Sequence, residues 1–178
     1  MNRRIRQYLG IIAAVVVYYV VHEGAHFLTA LYYGVFKNIQ FMGIIGIQID
    51  VYNTRMTDTQ LGVLCIMGPV ATFIAGYLLV FFTQSICNLK SDVVRTIGWY
   101  TSLILLLLDP IYLVVLQHFV GGGDMNGISL LMPEMYATLV WLLVGIVNLY
   151  TLIKYVYPKY SLSFNKKNSE RCFPFAFF

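Results

Sequence analysis

Residues His22-Glu23-Gly24-Ala25-His26 sit inside an apolar stretch that opens with Ile11-Ile12-Ala13-Ala14-Val15-Val16-Val17. On a helix, His22 and His26 are one turn apart on a single face, and both imidazoles can reach one metal ion. Glu23 lies about 100° around the axis from His22, where its carboxylate reaches a metal-bound water without being a ligand. This is the HExxH arrangement of zinc hydrolases. The metal lowers the pKa of its water to near 7, and the glutamate removes the proton as that water attacks a carbonyl. A polar helix face lined by chance with two histidines is the competing reading. The setting weakens it. One ionisable side chain at mid-bilayer costs at least about 2.5–3.5 kcal/mol on insertion scales, and three in one turn of so apolar a segment need a compensating role.

Catalytic zinc sites take three protein ligands and leave a fourth position open, so one ligand must come from elsewhere. Asp124, after Gly121-Gly122-Gly123, is the first choice. The glycines let its loop fold back into the membrane, where irregular backbone is tolerated if it is buried in protein or faces water. Asp109, just before Pro110, competes. It lies about ten residues, or roughly 15 Å, from the outer end of its span, at a depth similar to that of His22. It can be a ligand, a partner to a ligating imidazole or a structural carboxyl bonded to a neighbouring helix. His118 and Glu134 read as interfacial.

These residues need helices in lipid to position them, and the composition supplies them. Of 178 residues, 59% are hydrophobic and only 11% charged, with a mean hydropathy of +0.73. Soluble domains carry roughly 25% charge and 45–50% apolar residues, so a soluble enzyme is excluded, as is a disordered chain. The basic residues flank apolar segments and form no extended patch, so nucleic acid is not a partner. Four stretches, about 9–33, 61–82, 97–120 and 136–157, are each long enough to cross the hydrocarbon as a helix. The first is too long for a signal peptide, and no small-residue cleavage site follows it. The lysines and arginines fall ten on one side (Arg3, Arg4, Arg6, Lys90, Arg95, Lys154, Lys159, Lys166, Lys167, Arg171) against two on the other (Lys37, Arg55). Both termini are therefore expected in the cytoplasm, with the histidines in the outer half of span one. Tyr32, Tyr33, Tyr155 and Tyr157 mark span ends.

In the 34–60 loop, Ile47, Ile49 and Val51 alternate with Gln48, Asp50 and Tyr52 after Gly43 and Gly46, predicting a short hairpin. Gly62, Gly68-Pro69-Val70-Ala71-Thr72 and Gly76 suit close helix packing in span two, or a catalytic role. Cys65, Cys87 and Cys172 are too scattered for a disulfide framework or thiolate site, and Cys65 reads as a small core residue. The expected architecture is an all-α membrane protein of about four transmembrane helices with a short β-hairpin in the first outer loop. Residues 1–160 form one integral-membrane domain. Residues 161–178 form a short, loosely ordered tail whose aromatic end, Cys172 to Phe178, lies at the membrane surface or packs on the protein.

HEGAH in an apolar helix, a GPVAT segment in the next and a late aspartate after glycines together resemble the site-2 protease family of intramembrane zinc metalloproteases. The likeness covers roughly residues 10–130. It implies a three-helix catalytic core, one zinc ion held by His22, His26 and Asp124, and Glu23 as the catalytic glutamate. Thr72 stands where an asparagine is common in the family, and the 34–60 loop where members often carry a small sheet that receives an extended substrate. The family's aspartate motif has prolines before it and a glycine after it, whereas here Gly123 precedes and Met125 follows Asp124. The well-known members also place the site nearer the cytosol, whereas the charge distribution here places it nearer the outside. The expected function is a zinc-dependent intramembrane endopeptidase acting on a membrane peptide or single-span protein within the lipid bilayer. The alternative is a non-enzymatic membrane protein using the same residues for structural metal binding, ion passage or peptide binding.

Overall fold

A computed structural model describes residues 2–42, 46–121 and 123–172. Among the described residues, four helical segments are long and apolar enough to cross a membrane: Arg3–Tyr32, Asp58–Cys87, Asp92–Phe119 and Glu134–Asn165. Their outer faces carry exposed Val20, Leu28, Phe81 and Leu143, a surface suited to lipid and not to water.

Helix α1 (Arg3–Tyr32) begins where Asn2 accepts a hydrogen bond from the Arg4 amide at 3.1 Å, so the three N-terminal arginines are helical. Gly34, with φ at +67°, turns the chain into the antiparallel strands β1 (Phe36–Met42) and β2 (Gly46–Val51). Ile39 pairs with Ile49 and Phe41 with Ile47, and an irregularity falls between Phe36 and Asn38. Lys37 Nζ lies 2.8 Å from Asp50 Oδ2 on the hairpin; the pairing raises the amine and lowers the carboxyl. The alternation expected at Ile47–Val51 is thus a strand, while Gly43 at the expected tip lies outside the described residues.

Helix α2 (Asp58–Cys87) opens with a capping box: Gln60 N donates to Thr57 Oγ1 and Thr57 N to Gln60 Oε1. Helix α3 (Asp92–Ile111) is capped by Ser91. Its Pro110 lacks the amide that would satisfy the Leu106 carbonyl four residues back. Asn148 Nδ2 supplies that donor from another helix at 2.7 Å, and Asn148 Oδ1 accepts from Tyr77 at 3.0 Å. A π-helical turn follows (Tyr112–Leu116), then the short α4 (Gln117–Val120), a break at Gly121 with φ at +94°, and the six-residue α5 (Gly123–Ile128). Gly122, at the centre of the glycine run, lies outside the described residues.

The fourth span is α6 (Glu134–Thr151), a second π-helical turn (Leu152–Val156) and α7 (Tyr157–Cys172). Here the structure departs from the loosely ordered tail expected from Ser161 onward. Tyr160 is buried against Cys87 and Leu106, and Arg95 Nη1 donates to the Ser163 carbonyl at 2.9 Å, which carries the helix on through Cys172. The aromatic end from Phe173 to Phe178 lies outside the described residues. One core joins Ala30, Ile49, Leu64, Leu113, Met125 and Trp141 around the hairpin and α5; a second joins Cys87, Leu106, Leu152, Val156 and Tyr160.

Candidate metal centre

The inward stripe of α1 recurs every fourth residue: Gly10, Ala14, Tyr18, His22 and His26 are all buried. This is the row that a helix presents to one neighbour. His22 and His26 are 5% and 4% exposed, and their Nε2 atoms stand 3.1 Å apart. Asp124 reaches the same point from α5. Its Oδ2 lies 3.1 Å from His22 Nε2 and its Oδ1 3.5 Å from His26 Nε2. The turn at Gly121 aims α5 inward, and the Tyr112 hydroxyl, donating to the Gly121 carbonyl at 2.9 Å, ties that turn down. Among the described residues these three form the one group of three or more His, Cys, Asp or Glu side chains whose ligand atoms gather within 4.8 Å of one another. His118, Glu134 and Asp109 are outside it.

The donor set fits a divalent cation. A tetrahedral zinc with ligands at about 2.0–2.1 Å has ligand–ligand edges of about 3.3 Å; here the two Nε2 atoms are 3.1 Å apart, and each faces one oxygen of the Asp124 carboxylate, His22 Nε2 Oδ2 at 3.1 Å and His26 Nε2 Oδ1 at 3.5 Å. The opposite ring nitrogens point the same way. His26 Nδ1 faces the Leu64 carbonyl at 2.8 Å, which can only accept. The proton of the neutral ring therefore sits on Nδ1. His22 Nδ1 lies 3.2 Å from Asp109 Oδ1, close enough for an ion pair though off the line of a hydrogen bond. With both Nδ1 atoms protonated and the rings neutral, two lone pairs and a carboxylate converge on one point, a repulsive arrangement unless a cation or protons occupy it. With protons there instead, burial raises the Asp124 carboxyl, but the imidazole hydrogen bonds outweigh burial and hold it below the usual carboxylate range.

The backbone of α2 passes directly beneath the rings. A Cβ at Gly68 would stand 2.5 Å from His26 Nε2 and 2.8 Å from His22 Nε2. The small residue in the GPVAT segment therefore makes room for the imidazoles. Glu23 is on the adjacent face, outside the ligand group, and its Oε2 accepts from the Ile49 amide at 3.2 Å. It borders two cavities. One, of about 270 Å³, is lined by His26, Asp124, Gln48, Asn126 and Cys65. The other, of about 470 Å³, is an apolar groove lined by Val16, Tyr19, Val20, Phe27, Ile39 and Ile47. Glu23 and Ile49 line both.

Tyr18 and the Leu64 carbonyl escaped the sequence reading. Tyr18 had a usable signal, since it precedes His22 by four residues on the same face. A backbone carbonyl turned towards a histidine leaves no trace in sequence. No protein-family model, curated protein or solved structure matches the chain.

Proposed function

We propose that the chain is a zinc-dependent intramembrane endopeptidase. The observation that carries this is the convergence of His22 Nε2, His26 Nε2 and the two oxygens of the Asp124 carboxylate within 3.1–3.5 Å contacts, with Glu23 beside them but not among them. The resemblance of HEGAH and its companion segments to site-2 proteases supports the same reading. His22, His26 and Asp124 would hold the ion, and a bound zinc would supply Lewis acidity and water of near-neutral pKa.

The chain's own residues do the rest. Glu23 takes a proton from the attacking water as its oxygen bonds to the scissile carbonyl carbon. It then gives that proton to the amine nitrogen as the carbon–nitrogen bond breaks. The Ile49 amide points away from β1, towards Glu23. It therefore belongs to the free edge of β2, which can receive an extended substrate stretch by main-chain pairing. The apolar groove between α1 and the hairpin suits the flanking part of a membrane peptide or single-span protein, and the more polar cleft suits water. The distribution of lysine and arginine puts both termini in the cytoplasm and this site towards the outer side.

Glu23→Gln tests the assignment. Cleavage of a transmembrane peptide library by the purified protein should fall by at least about 10³-fold, with the zinc content unchanged. Loss of zinc together with activity would show that Glu23 has another role.

A further inference from the structure

One buried acid is left without a task. Asp109, in the last turn of α3 and 1% exposed, is held from two other helices. The Tyr18 hydroxyl of α1 donates to Oδ1 at 2.6 Å. The Thr72 hydroxyl of α2 donates to Oδ2, with the Pro69 carbonyl 2.9 Å away on its other side. His22 Nδ1 also lies 3.2 Å from Oδ1. Among the described residues no lysine or arginine forms an ion pair with Asp109, and a carboxylate this deep is costly without a nearby positive charge. Among the described residues, the group beside Asp109 that can relay positive charge is the His22 ring, whose far nitrogen points at His26 and Asp124.

We infer that Asp109 is the positioning residue for His22. Clamped by Tyr18 and Thr72, its carboxylate faces Nδ1 across 3.2 Å, favours the proton on that nitrogen through its charge, and lends that charge through the imidazole to a divalent cation bound at Nε2. The two histidines then differ: His26 is set by a neutral carbonyl, His22 by a carboxylate. This inference rests on the metal reading and extends it to three residues that never touch the ion.

Asp109→Asn removes the charge with little change of shape. The amide oxygen can still accept from Tyr18 and face His22, while its NH₂ donates to Thr72 Oγ1, whose own proton turns to the Pro69 carbonyl. The test uses the full chain in detergent micelles, with zinc affinity read by competition against a chromophoric chelator and ligand field read from the visible absorption of the cobalt-loaded protein. Asp109→Asn should lose zinc affinity about 10- to 100-fold and shift the cobalt bands. Tyr18→Phe and Thr72→Val should weaken binding in the same direction by smaller factors. A purely structural role would lower the yield of folded protein but leave the affinity of the folded fraction alone. A folded Asp109→Asn protein with wild-type affinity and spectrum overturns the inference. If that variant does not fold, unchanged affinity in both hydroxyl variants overturns it equally. Wild-type protein that binds no zinc overturns the metal reading together with this one.

Discussion

Gly68→Ala is the smallest change that reaches the centre of the site. The added carbon would stand 2.5 Å from His26 Nε2 and 2.8 Å from His22 Nε2, where ordinary contact begins at 3.4 Å. The rings must then retreat by about 0.6–0.9 Å, or α1 and α2 must part by as much, in an interior packed like a crystal. Neither ring gives way easily, since the Leu64 carbonyl holds one and Asp109 flanks the other. Metal sites tolerate ligand displacements of only about 0.2 Å. Overpacking of this kind costs about 1–3 kcal/mol. Metal-free rings can turn aside by giving up part of their contacts with the Leu64 carbonyl and Asp109, whereas bound ones must also leave the ion, so more of the strain falls on the bound state. Each 1.4 kcal/mol is tenfold, so zinc affinity should drop about 10- to 100-fold. The assay is chelator competition on folded protein in micelles. Gly24→Ala serves as the control, because its added carbon meets nothing within 4 Å beyond its chain neighbours and the backbone of its own helix, and its zinc affinity should match wild type. A Gly68→Ala protein that is folded and binds zinc as tightly as wild type would refute the reasoning.

Two further changes probe the parts around the site. Ile49→Pro deletes the amide that Glu23 accepts from and the pairing edge of β2. Turnover of a membrane peptide should fall about tenfold or more with zinc affinity retained, and unchanged cleavage would remove the hairpin from the substrate path. Asn148→Ala strands the Leu106 carbonyl freed by Pro110, together with the Tyr77 hydroxyl. It should destabilise the protein by about 1–3 kcal/mol, read as a lower thermal midpoint in micelles, and a midpoint equal to wild type would show that the Pro110 break is satisfied some other way.

Where the chemistry is local, the sequence displays it. HEGAH places both imidazoles on one face through helix periodicity alone, and the four spans follow from length and hydropathy. The hairpin follows from the alternation at Ile47–Val51. The residues favour Asp124 over Asp109 without deciding between them, because the choice depends on which side of a ring each carboxyl approaches. Gly121 and the short α5 bring Asp124 to the Nε2 side, while the depth of α3 brings Asp109 to the Nδ1 side. The π-helical turns and the continuation of the fourth span into α7 were also hidden. The continuation into α7 depends on contacts such as Arg95 with Ser163 and Tyr160 with Cys87, which span long separations in the chain. Gly68 was visible as a small residue, but only its position under the rings shows that it clears space for them.

Zinc stoichiometry of the purified wild-type chain beside His26→Ala and Asp124→Ala, each with its folded fraction verified, tests the central claim most directly. One zinc per wild-type chain and a large loss in both variants is the expected result. Equal metal in all three, or none in any, would contradict it.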